Sequence, residues 1–256
     1  MSKILVTGAE GQLGQCFQEV AKEFPIYKLF LESKKTLDIT NKISLDEAYR
    51  QDPFDGIINC AAYSNVDQAE IEIEKAYKIN EHGVQTLATF AEKKNLFLVH
   101  FSTDYVFDGK KGNYKENYLT EPINYYGFTK RLGEKFIISN LNQYIIIRTS
   151  WLYSNSDDTF LKKITNKIKE NKNIQVVNDQ FGFPTSAYDL SLVIIKIIDL
   201  YDQKKYIKFG IYHYSNYGNQ PISWYEFAQK IGFYLKKYKN LNYKISGVES
   251  NFYKVK

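Results

Sequence analysis

The chain has 256 residues, of which 44% are hydrophobic and 25% charged, with a formal net charge of +5. This length and apolar content predict one large domain, or two intimately joined ones, with an ample core. Almost all of the positive charge is lysine, scattered among acidic residues. Because nucleic-acid readers usually cluster their cations and favour arginine for bidentate contacts, we expect no nucleic-acid partner.

The two cysteines, Cys16 and Cys60, and the three histidines show no metal-binding spacing. We therefore expect reduced thiols and no metal site. The N-terminus lacks the apolar span of a secretory signal, and the longest later apolar run, Leu192–Ile198, is broken by Lys196. The sequence thus predicts a cytoplasmic protein without a membrane span.

The first predicted elements form a glycine-rich turn between a strand and a helix. A short apolar run, Lys3–Thr7, precedes a turn with Gly8, Gly11 and Gly14, and a helical pattern follows over 15–23. Glycines in this context allow a tight turn and let backbone N–H groups approach a dinucleotide pyrophosphate at the helix N-terminus. The spacing is GxxGxxG rather than GxGxxG, and the alternative interpretation is a tight turn without a ligand.

The end of the second predicted strand bears on the cofactor. This strand, Tyr27–Leu31, is followed by Glu32, whose carboxylate could bind an adenosine ribose 2′-hydroxyl and favour NAD. Lys34 and Lys35 come next and could hold a 2′-phosphate instead. The sequence leaves the choice between the two cofactors open.

Strand and helix patterns alternate up to residue 149. After the second strand they are a helix over 43–50, a strand over 55–60, a helix over 72–94, a strand over 95–101, a helix over 126–138 and a strand over 143–148. Five such alternations without internal repeats predict an α/β fold with a doubly wound parallel sheet. His100, beside the apolar run of the fourth strand, is interpreted as a structural histidine rather than a catalyst.

From Ser150 onward the alternation is less regular. Helices are predicted over 159–169, 187–200 and 223–235, strands over 174–177 and 210–214, and a Gly/Pro loop over 178–185. We predict a dinucleotide-binding Rossmann domain over 1–150, with a returning strand near 210–214. Residues 151–256 are predicted to form mostly a smaller, interleaved substrate-binding lobe.

A central loop and the helix that follows it hold the residues with reactive side chains. Thr103 and Asp104 lie just past the fourth strand, and ligands bind at the carboxyl ends of parallel strands. Tyr126 and Lys130 are four residues apart, which places their Cβ atoms about 6 Å from each other on one helical face. A positive charge beside a tyrosine lowers its pKa from ~10, so the phenol becomes a usable acid or base. The alternative is a helix face with a half-buried tyrosine and a solvated lysine.

Five motifs occur in order along the chain: GAEGQLG, STDYVFDG, YGFTK, RTSWLY and DQFGFPT. With them the sequence resembles the extended short-chain dehydrogenase/reductases, and within these the dTDP-4-dehydrorhamnose reductase family, over essentially its whole length. The resemblance implies that NADPH or NADH reduces the 4-keto group of dTDP-4-dehydro-6-deoxy-L-mannose to give dTDP-L-rhamnose, in a homodimer. It also implies a family segment past the position of Lys256, so we expect the substrate lobe to lack this tail.

The resemblance implies a role for each matching residue. Tyr126 would protonate the sugar O4, Thr103 would hydrogen-bond that oxygen, and Lys130 would bind the nicotinamide ribose and lower the pKa of Tyr126. Asp104 and Trp151 would contact the sugar nucleotide, although a loop cap and a core aromatic are their ordinary alternatives. The implied cofactor contacts are Gly11, Gln12 and Leu13 at the pyrophosphate, Asp38 and Ile39 at the adenine, and Ala62, Tyr63 and Ser64 along the middle of the cofactor.

Two other functions fit the same motifs. The first is a reductase, epimerase or dehydratase of the same superfamily that acts on another nucleotide sugar. The second is a non-catalytic regulatory subunit that binds the cofactor. Net consumption of NADPH distinguishes a reductase from an epimerase, a dehydratase or a regulatory subunit, and comparison of several keto sugars distinguishes one reductase from another.

Overall fold

The computed structural model describes residues 2–25, 27–157, 159–170, 172–216, 218, 220–238 and 243–252. The strands in this part of the chain are β1 (Lys3–Thr7), β2 (Lys28–Glu32), β3 (Gly56–Asn59), β4 (Phe97–Thr103), β5 (Tyr144–Thr149), β6 (Leu152–Tyr153), β7 (Asn173–Val177), β8 (Phe181–Gly182), β9 (Thr185–Ser186), β10 (Gly210–His213), β11 (Ile222–Ser223) and β12 (Lys244–Val248).

The α-helices alternate with these strands. They are α1 (Gln12–Glu23), α2 (Lys42–Gln51), α3 (Val66–Ala69), α4 (Ile73–Tyr77), α5 (Val84–Lys94), α6 (Tyr125–Asn140), α7 (Phe160–Lys169), α8 (Ala187–Asp202) and α9 (Trp224–Tyr238). The single helix predicted over 72–94 is divided, because a π-helical turn, Lys78–Gly83, separates α4 from α5. Such turns are rare and are frequent at functional sites.

Six strands form one sheet in the order β10-β5-β4-β3-β1-β2. Every pairing in this sheet is parallel. Since the chain runs outward from β1 to β2 and then returns to β3, the direction of winding reverses between β1 and β3. The predicted doubly wound parallel sheet is confirmed, and this reversal marks the crevice in which such folds bind ligands.

The central strands of the sheet are buried, which explains their continuous apolar runs. All seven residues of β4 and all four of β3 are buried. Their side chains join a core that includes Leu5, Ile57, Leu98 and Ile146, together with apolar residues of α2, α5 and α6. The strand ends are therefore held rigidly, and the loops that follow them carry the polar side chains.

The chain forms two compact units, residues 1–149 with 190–214 and residues 150–189 with 215–256. Residues 190–202 of α8 and strand β10 thus belong to the first unit, whereas the sequence placed 190–209 in the substrate lobe. The second unit has its own core, in which α7, α9 and β7 supply Ile164, Ile174 and Phe227. Strand β12, which the sequence analysis missed, pairs in parallel with β7. That this unit binds the substrate stays a prediction.

Candidate active site

The glycine-rich turn joins β1 to α1 in a conformation that requires its glycines. Gly8 has φ +69°, and a Cβ there would lie 2.6 Å from the backbone nitrogen of Ala61. A Cβ on Gly14 would lie 2.3 Å from the carbonyl oxygen of Gly8, so α1 packs directly against the turn. Gly11 is the N-cap of α1 and has no side chain to cap it. The first amides of α1 are therefore available to an anion.

A cavity of about 210 Å³ lies beside this turn. Its lining residues come from the turn and from the loops after β2 and β3: Gly8, Glu10, Gly11, Lys34, Leu37, Asp38, Ile39, Cys60, Ala61, Ala62 and Ile79. Five of the residues predicted to bind the cofactor, Gly8, Gly11, Asp38, Ile39 and Ala62, are thus brought together. Within the described chain, the buried Nε2 of Gln12 has no hydrogen-bond partner, as expected for a donor that awaits a phosphate oxygen.

The other residues predicted to bind the cofactor are not among those that line the cavity. Leu13 and Gly14 are buried on the inner side of α1. Tyr63 is 8% exposed, and its hydroxyl donates to Glu72 at 2.8 Å, whereas Ser64 is exposed. Their contacts with a cofactor stay predictions.

Asp38, Lys34 and Glu10 are the charged residues that line the cavity. One carboxylate oxygen of Asp38 accepts from the Thr40 amide at 2.9 Å and from its hydroxyl at 2.8 Å. Partial burial acts to raise the pKa of Asp38, but these bonds hold it below its usual value, so the carboxylate is ionised at neutral pH. Lys34 lines the cavity and Glu32 does not.

Thr103 is the last residue of β4, and it begins a 3₁₀ turn, Asp104–Val106. Its hydroxyl accepts from the Tyr105 amide at 3.2 Å and donates to the Asp104 carboxylate at 3.1 Å. Thr103 is 5% exposed, whereas Asp104 is an exposed residue. The protein around the Asp104 carboxyl still desolvates it in part, which raises its pKa to about 6. Ser102 Oγ and Thr149 Oγ1, at the ends of β4 and β5, are buried without a partner in the described chain, so this edge can hydrogen-bond a polar ligand.

Helix α6 carries Tyr126 and Lys130 to the same edge. Asn124 caps the helix by accepting from the Gly127 amide at 2.7 Å. A Cβ on Gly127 would lie 2.1 Å from the carbonyl oxygen of Tyr105, so only glycine lets α6 approach the 3₁₀ turn this closely. The half-buried Tyr126 packs edge-on against Tyr105, with ring centroids 5.9 Å apart, and the Tyr105 amide donates to the Thr103 hydroxyl. The structure therefore brings Thr103 and Tyr126 together.

The pKa of Tyr126 is raised, not lowered. Burial of the phenol is the main cause, and the nearby Thr103 side chain opposes it only in part. The lowering of this pKa by Lys130 stays a prediction. Lys130 is 2% exposed, and its Nζ donates to the carbonyl oxygen of Phe101 at 2.6 Å. Burial also lowers the pKa of Lys130, to about 8, so a growing fraction of Lys130 is uncharged as the pH rises from neutral to alkaline values.

Asn80 is a residue of this site that the sequence analysis missed. It lies in the π-helical turn, where its side chain accepts from the Tyr63 amide and donates to the Tyr63 carbonyl, each at 2.9 Å. It also donates to Thr129 Oγ1 at 3.1 Å, and Thr129 in turn donates to the carbonyl of Tyr126 at 2.9 Å. Asn80 thus connects the loop after β3 to the turn of α6 that bears Tyr126.

Residues 2–255 match the family model described as the RmlD substrate binding domain. The chain is 39% identical to the dTDP-4-dehydrorhamnose reductase of Aggregatibacter actinomycetemcomitans over 232 residues, which are 89% of this chain and 77% of that protein. The chain belongs to the dTDP-4-dehydrorhamnose reductase family.

Solved structures agree with this family. The dTDP-4-dehydrorhamnose reductase of Bacillus anthracis, in complex with NADP, is 38% identical, with a TM-score of 0.89 over 99% of this chain and 86% of that chain. The ortholog from Clostridium acetobutylicum is 35% identical, with a TM-score of 0.87 over 98% and 85% of the two chains. A UDP-glucose 4-epimerase of Thermus thermophilus, at 12% identity and a TM-score of 0.75, shares the fold alone.

In this family member Trp151 belongs to the second unit. Its ring stacks on that of Trp224, with centroids 3.5 Å apart, and a Cβ on Gly182 would lie 2.6 Å from it. Its φ of +50° is unusual for a bulky residue, and its carbonyl accepts from the Thr185 amide at 3.1 Å. Such strain is often stored at functional positions. Its contact with the substrate stays a prediction.

The sequence predicted neither a metal site nor a membrane span. In the ranges described above, no cluster of three or more His, Cys, Asp or Glu side chains could hold a metal ion. No helix described here has both the length and the apolar character needed to cross a bilayer.

Proposed function

We propose that this protein reduces the 4-keto group of dTDP-4-dehydro-6-deoxy-L-mannose to give dTDP-L-rhamnose, with NADPH or NADH as the reductant. The observation that carries the proposal is the close packing of helix α6, which bears Tyr126, against the turn that follows Thr103 at the edge of the sheet. Lys130 lies on the same helix, and the glycine-rich turn follows β1 of the same sheet. Family membership supports the substrate, because relatives in the family are named dTDP-4-dehydrorhamnose reductase.

The reduced nicotinamide supplies a hydride to C4 of the sugar when it is bound. Tyr126 stays a neutral phenol at neutral pH because burial raises its pKa, so it can donate its proton to O4 as negative charge develops there. Thr103 has a single hydroxyl proton, which it now donates to Asp104. When that proton turns to O4 instead, Thr103 stabilises the same developing charge. Lys130, when protonated, stabilises the phenolate that Tyr126 leaves behind.

The cofactor would lie across the glycine-rich turn. Gly8, Gly11 and Gln12 would hold the pyrophosphate, Asp38 and Ile39 would flank the adenine, and Ala62 would follow the middle of the cofactor. All of these residues except Gln12 line one cavity, which supports this placement. The presence of Lys34 in that cavity supports acceptance of a 2′-phosphate, and therefore of NADPH. A cytoplasmic location and a homodimer stay part of this proposal, on the resemblance alone.

The substrate contacts that the resemblance implies are Thr103, Asp104 and Trp151. Asp104 and Thr103 lie at the carboxyl end of β4, where ligands bind in parallel sheets. Trp151 presents a half-buried aromatic surface in an unusual backbone conformation. An aromatic ring that can stack, and polar side chains that can hydrogen-bond, suit a nucleotide sugar.

The test is Tyr126→Phe, with NADPH oxidation followed in the presence of the 4-keto sugar nucleotide. We expect kcat to fall by about 10²–10⁴-fold while cofactor binding is retained, because only the acid is removed. The matched control is Tyr125→Phe, since Tyr125 is 41% exposed on the same helix and should not alter turnover. Full activity of Tyr126→Phe would exclude the mechanism, and turnover without net NADPH consumption would favour an epimerase or dehydratase.

A further inference from the structure

Three buried polar residues lie in one row across the centre of the sheet. Thr7 of β1 pairs with Asn59 of β3, and Asn59 pairs with His100 of β4. Their exposed fractions are 0%, 1% and 0%. Because the inner strands of a parallel sheet are normally apolar and a buried polar group is costly when unpaired, this row requires an explanation.

The hydrogen bonds around Asn59 determine how its amide is oriented. Asn59 Oδ1 is 2.7 Å from Thr7 Oγ1 and 3.2 Å from the backbone nitrogen of Ala61. A backbone N–H can only donate, so the oxygen of the amide, and not its nitrogen, must face Ala61. Asn59 Nδ2 therefore faces His100 Nδ1, at 3.0 Å, and donates to it.

His100 accordingly carries its proton on Nε2. Burial lowers the pKa of His100 well below its usual value, so the ring is neutral and has one N–H. Since Nδ1 accepts from Asn59, that proton is on Nε2, which lies 3.3 Å from Lys130 Nζ. An N–H that points at an ammonium group is unfavourable, whereas the lone pair of a neutral amine can accept it.

We propose that Thr7 and Asn59 are positioning residues that fix His100 as the Nε2–H tautomer. In this tautomer His100 is itself a positioning residue, because its Nε2–H favours the uncharged amine of Lys130. Lys130 Nζ then accepts from His100 and donates to the carbonyl of Phe101, at 2.6 Å. The row thereby helps to set the pH range in which Lys130 is charged. Only the consequence for turnover rests on the proposed function, because the position of the proton does not depend on it.

The other charged or titratable groups near Lys130 do not reverse this preference. Glu134, on α6, acts to raise the pKa of Lys130, but its carboxylate is bound by Arg148 at 2.7 Å. Cys60, at the end of β3, also acts to raise it, yet burial raises the pKa of the Cys60 thiol and keeps it neutral. Tyr126, one turn earlier on α6, is neutral for the same reason. Burial of Lys130 itself outweighs these groups.

The first measurement locates the proton on His100 directly. Nitrogen-15 NMR of protein labelled at histidine separates protonated from unprotonated ring nitrogens by chemical shift. The chain has three histidines, so the His82→Gln and His213→Gln variants assign the His100 signals by elimination. We expect a protonated Nε2 and an unprotonated Nδ1 at pH 7. A proton on Nδ1, or on both nitrogens, would overturn the proposal whether or not the protein is active.

The second measurement inverts the tautomer. In Asn59→Asp, one carboxylate oxygen would still accept hydrogen bonds from Thr7 and Ala61. The other oxygen would accept a hydrogen bond from a protonated His100 Nδ1. His100 Nε2 would then accept from Lys130, and the proton would stay on Lys130 because an alkyl amine is a stronger base than imidazole. We expect the NMR signal of Nδ1 to change to the protonated type.

The pH profile of turnover separates this role from a structural one. In the wild type, kcat/KM for NADPH should decline above pH about 8, as Lys130 loses its proton. In Asn59→Asp this decline should move up by about one pH unit. The control Ile146→Val alters the residue that pairs with His100 on β5 and should leave the decline in place. A uniformly lower rate in Asn59→Asp with an unmoved decline would overturn the proposed effect on Lys130.

Discussion

At the residue scale, burial moves the two central groups of the site in opposite directions. It raises the pKa of the Tyr126 phenol and lowers that of the Lys130 amine, because in each case the neutral form is favoured. The resting site thus holds a protonated acid beside an amine that titrates near pH 8. This state is suited to giving a proton to a substrate oxygen, and it does not require a pre-formed phenolate.

Thr103 provides the first prediction at this scale. Thr103→Val removes the hydroxyl that donates to Asp104 beside Tyr126, and kcat should fall by about 10²–10³-fold. Thr103→Ser keeps the hydroxyl and should retain most of the activity. Steady-state kinetics with the 4-keto sugar nucleotide test both variants, with Thr86→Val on α5 as a control of the same chemical change. Equal activity of Thr103→Val and Thr103→Ser would contradict the role of the hydroxyl.

Lys130 provides a stability prediction with a definite sign. Its pKa is about 8 in the folded chain against 10.5 for a free lysine, so the unfolded chain binds more protons between these values. The free energy of unfolding therefore rises with pH across this window, and below pH 8 the buried lysine costs its full ~3 kcal/mol. Lys130→Met should therefore have a higher free energy of unfolding than the wild type at pH 7. The loss of the hydrogen bond to Phe101 should reduce this gain by about 1 kcal/mol.

Urea unfolding at pH 7 and pH 9.5 checks this expectation. The advantage of Lys130→Met should narrow at the higher pH, because the wild-type lysine is then largely neutral in the folded state. Lys135→Met, which alters an exposed lysine on the same helix, should stay within about 0.5 kcal/mol of the wild type at both values. A pH-independent difference for Lys130→Met would show that burial of charge is not the cause.

At the element scale, the turn between β1 and α1 combines a packing role with a binding role. Gly14 lets α1 pack against the turn, whereas Gly11 lines the cavity and occupies the N-cap position of the helix. Helix α6 depends on Gly127 in the same way, since its first turn packs against the carbonyl of Tyr105. The position of each helix relative to the sheet thus depends on one residue that lacks a side chain.

Two substitutions in the turn separate these roles. Gly14→Ala places a Cβ 2.3 Å from the carbonyl oxygen of Gly8, so we expect a loss of about 1–3 kcal/mol in the free energy of unfolding. Gly11→Ala meets only that same oxygen, at 3.2 Å, and should cost less than about 1 kcal/mol. Its methyl group would nevertheless occupy the pyrophosphate position and weaken NADPH binding by about tenfold or more. Calorimetric titration and urea unfolding measure the two effects, and wild-type affinity in Gly11→Ala would place the cofactor elsewhere.

At the scale of the whole molecule, the chain passes between its two units three times, after residues 149, 189 and 214. The second passage lies inside helix α8, which begins in one unit and ends in the other. Local unfolding of either unit would break this helix. We therefore expect the two units to unfold in one transition.

The two tryptophans, Trp151 and Trp224, stack within the second unit and give it a separate fluorescence signal. Their signal and far-ultraviolet circular dichroism should show the same unfolding midpoint. NADPH at about 100 times its Kd should stabilise the folded state by about 2.7 kcal/mol and raise both midpoints together by about 5–10 °C. A rise in the dichroism midpoint alone would show that the units unfold separately.

The sequence by itself determined the six strands of the parallel sheet, the glycine-rich turn and the helix that carries Tyr126 and Lys130. These features follow from local rules: a period of hydrophobicity, a glycine where backbones meet, and a spacing of four on a helix. The same rules missed the π-helical turn with Asn80 and the pairing of β12 with β7, because neither has a distinct local pattern.

Only the tertiary structure decided what surrounds the reactive groups. Thr7, Asn59 and His100 lie on three different segments, and strand pairing alone brings them into one row. Burial of Tyr126 and Lys130 likewise depends on how α6 packs against β4. Since a pKa is set by the solvent and charges around a group, and these come from residues distant in sequence, the spacing of Tyr126 and Lys130 predicts a site but not its protonation state.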